Sequence, residues 1–161
     1  MRSVALLVAM CLPHAAIAAC PQELAVYEEA EAKAGLEFTP ADPGAATSHS
    51  FKLKFPENSV ILDGLGMMTD DPPRNHGMLT KDCPVGDVTG EELDACTVWQ
   101  GTIYAVDAEG RAGPLPPQGQ PAARQIVLTD LAAYIRQSTV WGVGGLSKLP
   151  YDVFSMSGCQ E

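Results

Sequence analysis

Cysteine stands at five positions in the 161-residue chain, 11, 20, 83, 96 and 159, and this placement restricts the fold more than any other feature. Cys11 lies inside the opening stretch "MRSVALLVAMCLPHAAIAAC". There Arg2 and the amino terminus supply positive charge, Val4 to Leu12 is an unbroken apolar run of nine residues, and Pro13 ends it before the small residues from Ala15 to Ala19. That is the layout of a secretory signal peptide. The apolar run is far below the roughly 20 residues needed to cross a bilayer, and no later stretch is long enough either. Cleavage after Ala18 uses the small pair Ala16 and Ala18; cleavage after Ala19 puts Ile17 three residues back. The sequence therefore reads as a cleaved signal over residues 1–19 and a single exported domain over residues 20–161, periplasmic or extracellular, of ordinary domain size.

With Cys11 removed, four cysteines remain, an even number in a compartment where disulfides form. A lipid anchor at Cys20 is the competing reading of "IAAC". It would strand one thiol in an oxidising space, and a lipidated chain usually carries a flexible polar tether, which is missing after Cys20. The reading therefore favours Cys20 as a disulfide partner. Four cysteines allow three pairings. Cys20–Cys159 with Cys83–Cys96 is the favoured one, because the ends of a domain often lie together and the second pair closes a short loop. In the chain-entropy model the short loop is worth about 3 kcal/mol and the long one about 5. Spacing alone leaves the other two pairings open.

The segment "CPQELAVYEEAEAKAG" is rich in helix formers. Pro21 suits a first helical position, Glu23 and Lys33 match the helix dipole, and Gly35 reads as a stop. A helix is expected there. "SFKLKF" then alternates cleanly, with Phe51, Leu53 and Phe55 on one side and Lys52 and Lys54 on the other, the pattern of a half-buried strand. "VILDGLGMM" reads as its hairpin partner, "TDDPPRNHG" as a proline-stiffened loop, and "MLTKDC" as a short strand. Thr89 and Glu92 have capping-box spacing and predict a helical turn around Glu91 to Ala95. "CTVWQGTIYAVDAEG" carries the strongest strand formers of the chain. "RQIVL" is a further strand, and Thr129 or Asp130 caps a helix whose Leu131, Tyr134 and Ile135 share one face. "LPYDVFSMSGC" supplies the last strand. The sum is an α+β fold: an antiparallel sheet of about five strands with an N-terminal helix and one late helix, stabilised by disulfides.

Charge narrows the partners. The domain beginning at Cys20 carries 9 basic and 20 acidic residues, a net charge of −11. Nucleic acid and anionic membrane surfaces repel such a domain. A cationic partner suits it, although the commonest meaning of such a charge is solubility.

Catalytic signatures are absent from the sequence. There is no Gly-x-Ser-x-Gly elbow, no Cys-x-x-Cys pair and no calcium-loop spacing, and no cofactor-binding motif. His49 beside Ser50 is a sequence neighbour and not a triad. The densest unusual cluster is "MMTDDPPRNHGM". Met67, Met68, His76 and Met78 offer thioether and imidazole ligands suited to Cu(I), although methionine is also a routine core filler. Asp70, Asp71, Arg74 and Asn75 of the same loop are candidates for contact with a protein or small ligand. The carboxylate pairs Glu28–Glu29, Asp70–Asp71 and Glu91–Glu92 would serve a hydrolase only if two acids faced each other across a cleft. Trp99 and Trp141 could line a pocket, but tryptophan in a strand is more often core.

The leading functional reading is a small exported protein of the bacterial envelope, non-catalytic, acting as a binding or accessory protein for a protein or small ligand. The alternatives are a periplasmic copper-binding protein using the Met/His loop, and a small hydrolase with carboxylate chemistry. The intact mass of the secreted protein is expected to show cleavage beside Ala19 and a gain of about four hydrogens on full reduction, two for each of two disulfides. A mass raised by a diacylglycerol and fatty acyl group, with one reducible bridge, would overturn that reading.

Overall fold

The computed structural model of the protein describes residues 19–161. The signal-peptide reading, apart from Ala19, lies outside the described residues. The elements in chain order are β1 (Ala25–Glu29), β2 (Ala34–Thr39), β3 (His49–Phe55), β4 (Val60–Asp70), β5 (Pro73–Thr80), α1 (Gly90–Cys96), β6 (Thr97–Val106), β7 (Ala112–Gly113), β8 (Gln125–Leu128), α2 (Leu131–Gln137) and β9 (Val153–Cys159). Each strand pairs antiparallel with the next around the ring β1, β2, β3, β4, β5, β6, β8, β9, and β9 returns to β1. β7 adds two residues to the margin of β6. The architecture is a closed eight-stranded antiparallel barrel. The expected α+β fold with a sheet of about five strands and an N-terminal helix is therefore corrected.

The main error falls on residues 21–35. The segment expected as a helix holds one 3-10 turn at Gln22–Leu24, then β1, a tight turn and the start of β2. Its helix-forming composition hides a period of two: Ala25, Tyr27 and Glu29 are buried while Val26 and Glu28 face out. Glu29 obscures the pattern because a carboxylate occupies an inward position. It is 4% exposed, and its two oxygens accept the backbone N–H groups of Glu31 and Ala32 at 2.9 Å each. The charge thus satisfies the turn, Lys33 takes a left-handed φ of 52°, and the chain reverses. Pairing with neighbouring strands has overridden local helix propensity.

A second difference lies in "TDDPPRNHG". Only Asp71 and Pro72 form the turn; β5 begins at Pro73 and pairs with Asp70. A proline is tolerated as the first residue of a strand, so Arg74, Asn75 and His76 are strand residues. The late helix is α2, but neither Thr129 nor Asp130 caps it with a side chain. Asp152 does so from the far side of the connection, accepting the N–H groups of Asp130 at 2.9 Å and Leu131 at 3.0 Å. Leu131 and Ile135 are buried, while Tyr134 is 46% exposed. The capping box of Thr89 and Glu92 opens α1 as its spacing predicts.

Two disulfides staple the ring. Cys20 bonds to Cys159 with Cα atoms 5.8 Å apart, and Cys83 bonds to Cys96 with Cα atoms 5.2 Å apart. The first joins the two ends of the described chain beside the β1–β9 seam. The second ties the β5–β6 connection at the opposite end.

An eight-stranded barrel encloses just enough space for side chains to fill. Here Trp99, Tyr27, Phe38, Phe55, Phe154 and a set of leucines and isoleucines are all less than 2% exposed. Their size is accommodated by missing side chains on facing strands. A Cβ on Gly64 would lie 2.2 Å from the Phe51 ring, and one on Gly77 2.5 Å from Ile103. Gly66, by contrast, has only ordinary contacts, the nearest at 3.5 Å from the His49 Cβ. Urea unfolding is expected to show Gly64→Ala destabilised by about 1–3 kcal/mol through overpacking, with Gly66→Ala losing clearly less. Equal losses would mean that the aromatic contact does not set the glycine.

Candidate functional site

Large buried side chains, among them Trp99, Tyr27, Phe38, Phe55 and Phe154, fill the barrel interior. Several of its polar groups are tied internally, although the Gln22 and Asn75 side-chain amide nitrogens have no partner among the described residues: the Trp99 indole N–H donates to the Thr129 carbonyl at 2.8 Å. The Tyr27 hydroxyl lies 3.0 Å from the Ala123 carbonyl and 3.2 Å from the Gln22 side-chain oxygen, and burial pushes its pKa up to about 12. Leu131, Ile135, Val140 and Leu146 close one end of the barrel. Leu115 and Ala123 close the other. Two buried polar side chains hold that second closure. Asn75 accepts the Leu115 N–H at 2.6 Å, and the His49 Nε2 lies 2.9 Å from the Pro116 carbonyl.

The sequence candidates divide accordingly. Met67 sits directly opposite His76 on the outer face of the β4–β5 hairpin, and Met78 lies two residues further along the same face. Met68 pairs with Asn75, on the opposite, inward-facing side of the strands. The Met78 sulfur lies 3.9 Å from the hydroxyl of Thr97, which pairs with Thr80 at the end of β5 remote from His76. The four copper candidates therefore do not converge. Among the described residues no group of three or more His, Cys, Asp or Glu is placed to hold a metal. Asp70, Asp71 and Arg74 are exposed at the hairpin tip, but Asn75 is fully buried and belongs to the barrel closure. The Glu28–Glu29 pair points to opposite sides of β1, so these two acids do not face each other across a cleft. Trp99 is core, and Trp141 is half-buried beneath the Arg136 guanidinium, 5.8 Å from its ring centroid.

A concavity on the outer surface was missed in the sequence. It is an open groove of about 1170 Å³ on the outside of the barrel, over β1, β2 and β9 and the segment entering β9. The registers place Ser155, Glu28, Gly35 and Lys54 in one row across it. Val26, Val153 and Met156 contribute apolar surface, and Tyr151 stands at its edge with 71% of its surface exposed. Most of its charges are already engaged. Glu37 pairs with Lys54, Lys33 with Glu57 at 2.7 Å, Glu29 with the turn and Asp152 with α2. Glu28 is the exception: it is exposed and takes part in none of the ion pairs of the described residues. One signal for this site was present, an alternating β1–β2 hairpin with an outward glycine, but it was masked by the helix-forming composition.

Comparison of the chain with known protein families, with curated proteins and with solved structures finds no match.

The barrel closure has a pH signature. His49 is 4% exposed, and burial lowers its pKa below the ordinary 6.5, with the Pro116 carbonyl and the Glu23 charge pulling it partly back. The unfolded chain therefore takes up a proton at higher pH than the folded one. This contribution to stability is complete above the unfolded pKa and declines as pH falls through about 6.5 toward the folded value. Denaturation midpoints measured from pH 8 down to pH 5, on the order of three units across that value, are expected to fall, and His49→Gln to flatten the decline. An unchanged slope in the variant would show that other groups set it.

Proposed function

We propose that this is a small exported, non-catalytic binding protein of the bacterial envelope that recognises a basic protein partner on the outside of its barrel. The observation that carries the reading is the filled interior. With aromatic side chains packing the barrel and both ends closed, no space is left for a small-molecule ligand of the kind wider barrels hold. Recognition then falls to the outer surface, where the groove combines concavity with exposed Tyr151, Val153 and Met156. Aromatic and methionine side chains of this kind are enriched where proteins meet.

Charge selects the class of partner. A domain of net charge −11 repels acidic surfaces and steers basic ones toward it, raising the rate of encounter. Export is supported by the leader-like opening of the sequence and by the two disulfides, which persist in oxidising compartments. The closed hydrogen-bonded ring holds the strand backbone in place, so less backbone ordering is needed when a partner docks.

The test is photo-crosslinking in cells that secrete the protein, with the reactive group placed in turn at Ile61, Met67, Tyr104, Tyr151 and Ser155. A discrete adduct with a protein of basic isoelectric point is expected from at least one outward position. No protein adduct from any of them, or saturable uptake of a small apolar ligand by the purified barrel, would overturn the reading.

A further inference from the structure

Gly35 has no structural reason to be glycine. It sits inside β2, where glycine weakens a strand by leaving it more entropy to lose and no side chain to pack. Its φ is not in the left-handed region that favours glycine. A Cβ built on it meets nothing within 4 Å. Gly64 and Gly77 differ sharply, since in each a Cβ would strike a core side chain at 2.5 Å or less. What Gly35 does is leave a gap on the outer surface between Glu28, its partner on β1, and Lys54, its partner on β3. With no clash to explain it, one of the meanings of a glycine inside a strand is a point where a ligand or another backbone approaches closely.

We propose that this gap is the centre of a docking site for an arginine side chain of a protein partner, with Glu28 receiving the guanidinium. The inference rests on the reading of the protein as a binder of basic partners and assigns the site. Charge complementarity selects the occupant. Four carboxylates, Glu28, Glu29, Glu37 and Asp152, and two amines, Lys33 and Lys54, line the groove, so it carries a net negative charge. Both amines are held by carboxylates, Lys33 by Glu57 and Lys54 by Glu37, which leaves Glu28 to meet an incoming cation. The Glu29 and Asp152 carboxylates, which accept backbone N–H groups, line the same groove. The walls suit the rest of the side chain. Val26, Val153 and Met156 provide apolar surface for the methylene stem, and the exposed Tyr151 ring provides a face on which a planar guanidinium stacks. Opposite Glu28 across the seam, Ser155 adds a hydroxyl acceptor.

The test uses the oxidised, isotope-labelled protein and a neutral-flanked tripeptide, acetyl-Ala-Arg-Ala-amide, with its citrulline counterpart as control. Amide shifts are expected to move at Glu28, Gly35, Tyr151 and Ser155, and to shrink as salt is added. Glu28→Gln is expected to weaken binding about tenfold, the worth of one hydrogen bond to a charged group. Gly35→Val fills the gap with a better strand former and is expected to abolish binding while leaving the melting temperature equal or higher. That combination separates loss of the site from loss of the fold. Equal binding of the citrulline peptide, shifts spread evenly over the acidic surface, or undiminished binding by both variants would overturn the proposal. If cross-linking captures a basic partner that the groove variants still bind, the groove assignment fails and the broader reading stands. If no basic partner is captured at all, both fail.

Discussion

The seam between β1 and β9 is the contact on which the rest of the structure depends. These strands come from the two ends of the described chain, and their pairing turns a meandering sheet into a ring. Closure removes the sheet edges that would otherwise invite pairing with other chains. It also gives every strand an inside and an outside, so a one-residue slip anywhere would turn a whole apolar set toward water. The Cys20–Cys159 bridge lies at this seam, next to the register Ala25–Cys159. Backbone hydrogen bonds from Ala122 to Cys20 and from Gln160 to Leu24 continue the same tie. A bulge between Val26 and Tyr27 lets β9 reach its partner with Met156 and Ser157 both exposed. The feature that closes the barrel therefore also shapes one wall of the outer groove.

From closure follows the division of labour between the two faces. The inside is committed to packing: large rings fill it, glycines on facing strands make room, and buried polar groups serve the end closures. The outside is committed to charge, with lysines and acids alternating across β2, β3 and β4 in the pairs Lys54–Glu37 and Lys52–Asp63. Such exposed pairs add little stability, but they neutralise most of the local cations. Glu28 beside Gly35 breaks that arrangement, since among the described residues it has no ion-pair partner, and its register partner on β2 is a glycine.

Much of the local structure was legible. The alternation in "SFKLKF", the hairpin that follows it and the capping box at Thr89 each depend on neighbours close in sequence, whereas the helix from Leu131 has its apolar face in the local pattern but its cap from Asp152. The first two strands were not legible because Glu29 occupies an inward position as the cap of a turn, and because alanine and glutamate favour a helix when no sheet is at hand. The Met/His cluster illustrates a different limit. Met67, Met68, His76 and Met78 are close in sequence, but a strand sends adjacent residues to opposite faces, so Met68 is separated from the others by the sheet itself. Asn75 was read as a loop residue and is instead a buried acceptor for Leu115, forty residues away. The groove was invisible because its walls come from β1, β2 and the entry to β9, which lie more than a hundred residues apart in the chain.

By itself the sequence determined the inventory. It contains an apolar opening followed by small residues, an even cysteine set after it, an excess of acid and strands that alternate, all of which are properties of composition and short spacing. Only the tertiary structure decided that the strands close into a barrel, that the interior is full, and that an unpaired glutamate faces an unneeded glycine on the outer wall. Those depend on which distant strands pair and in what register, and register is set by the simultaneous burial of all eight inward faces. No short window of the chain contains that information.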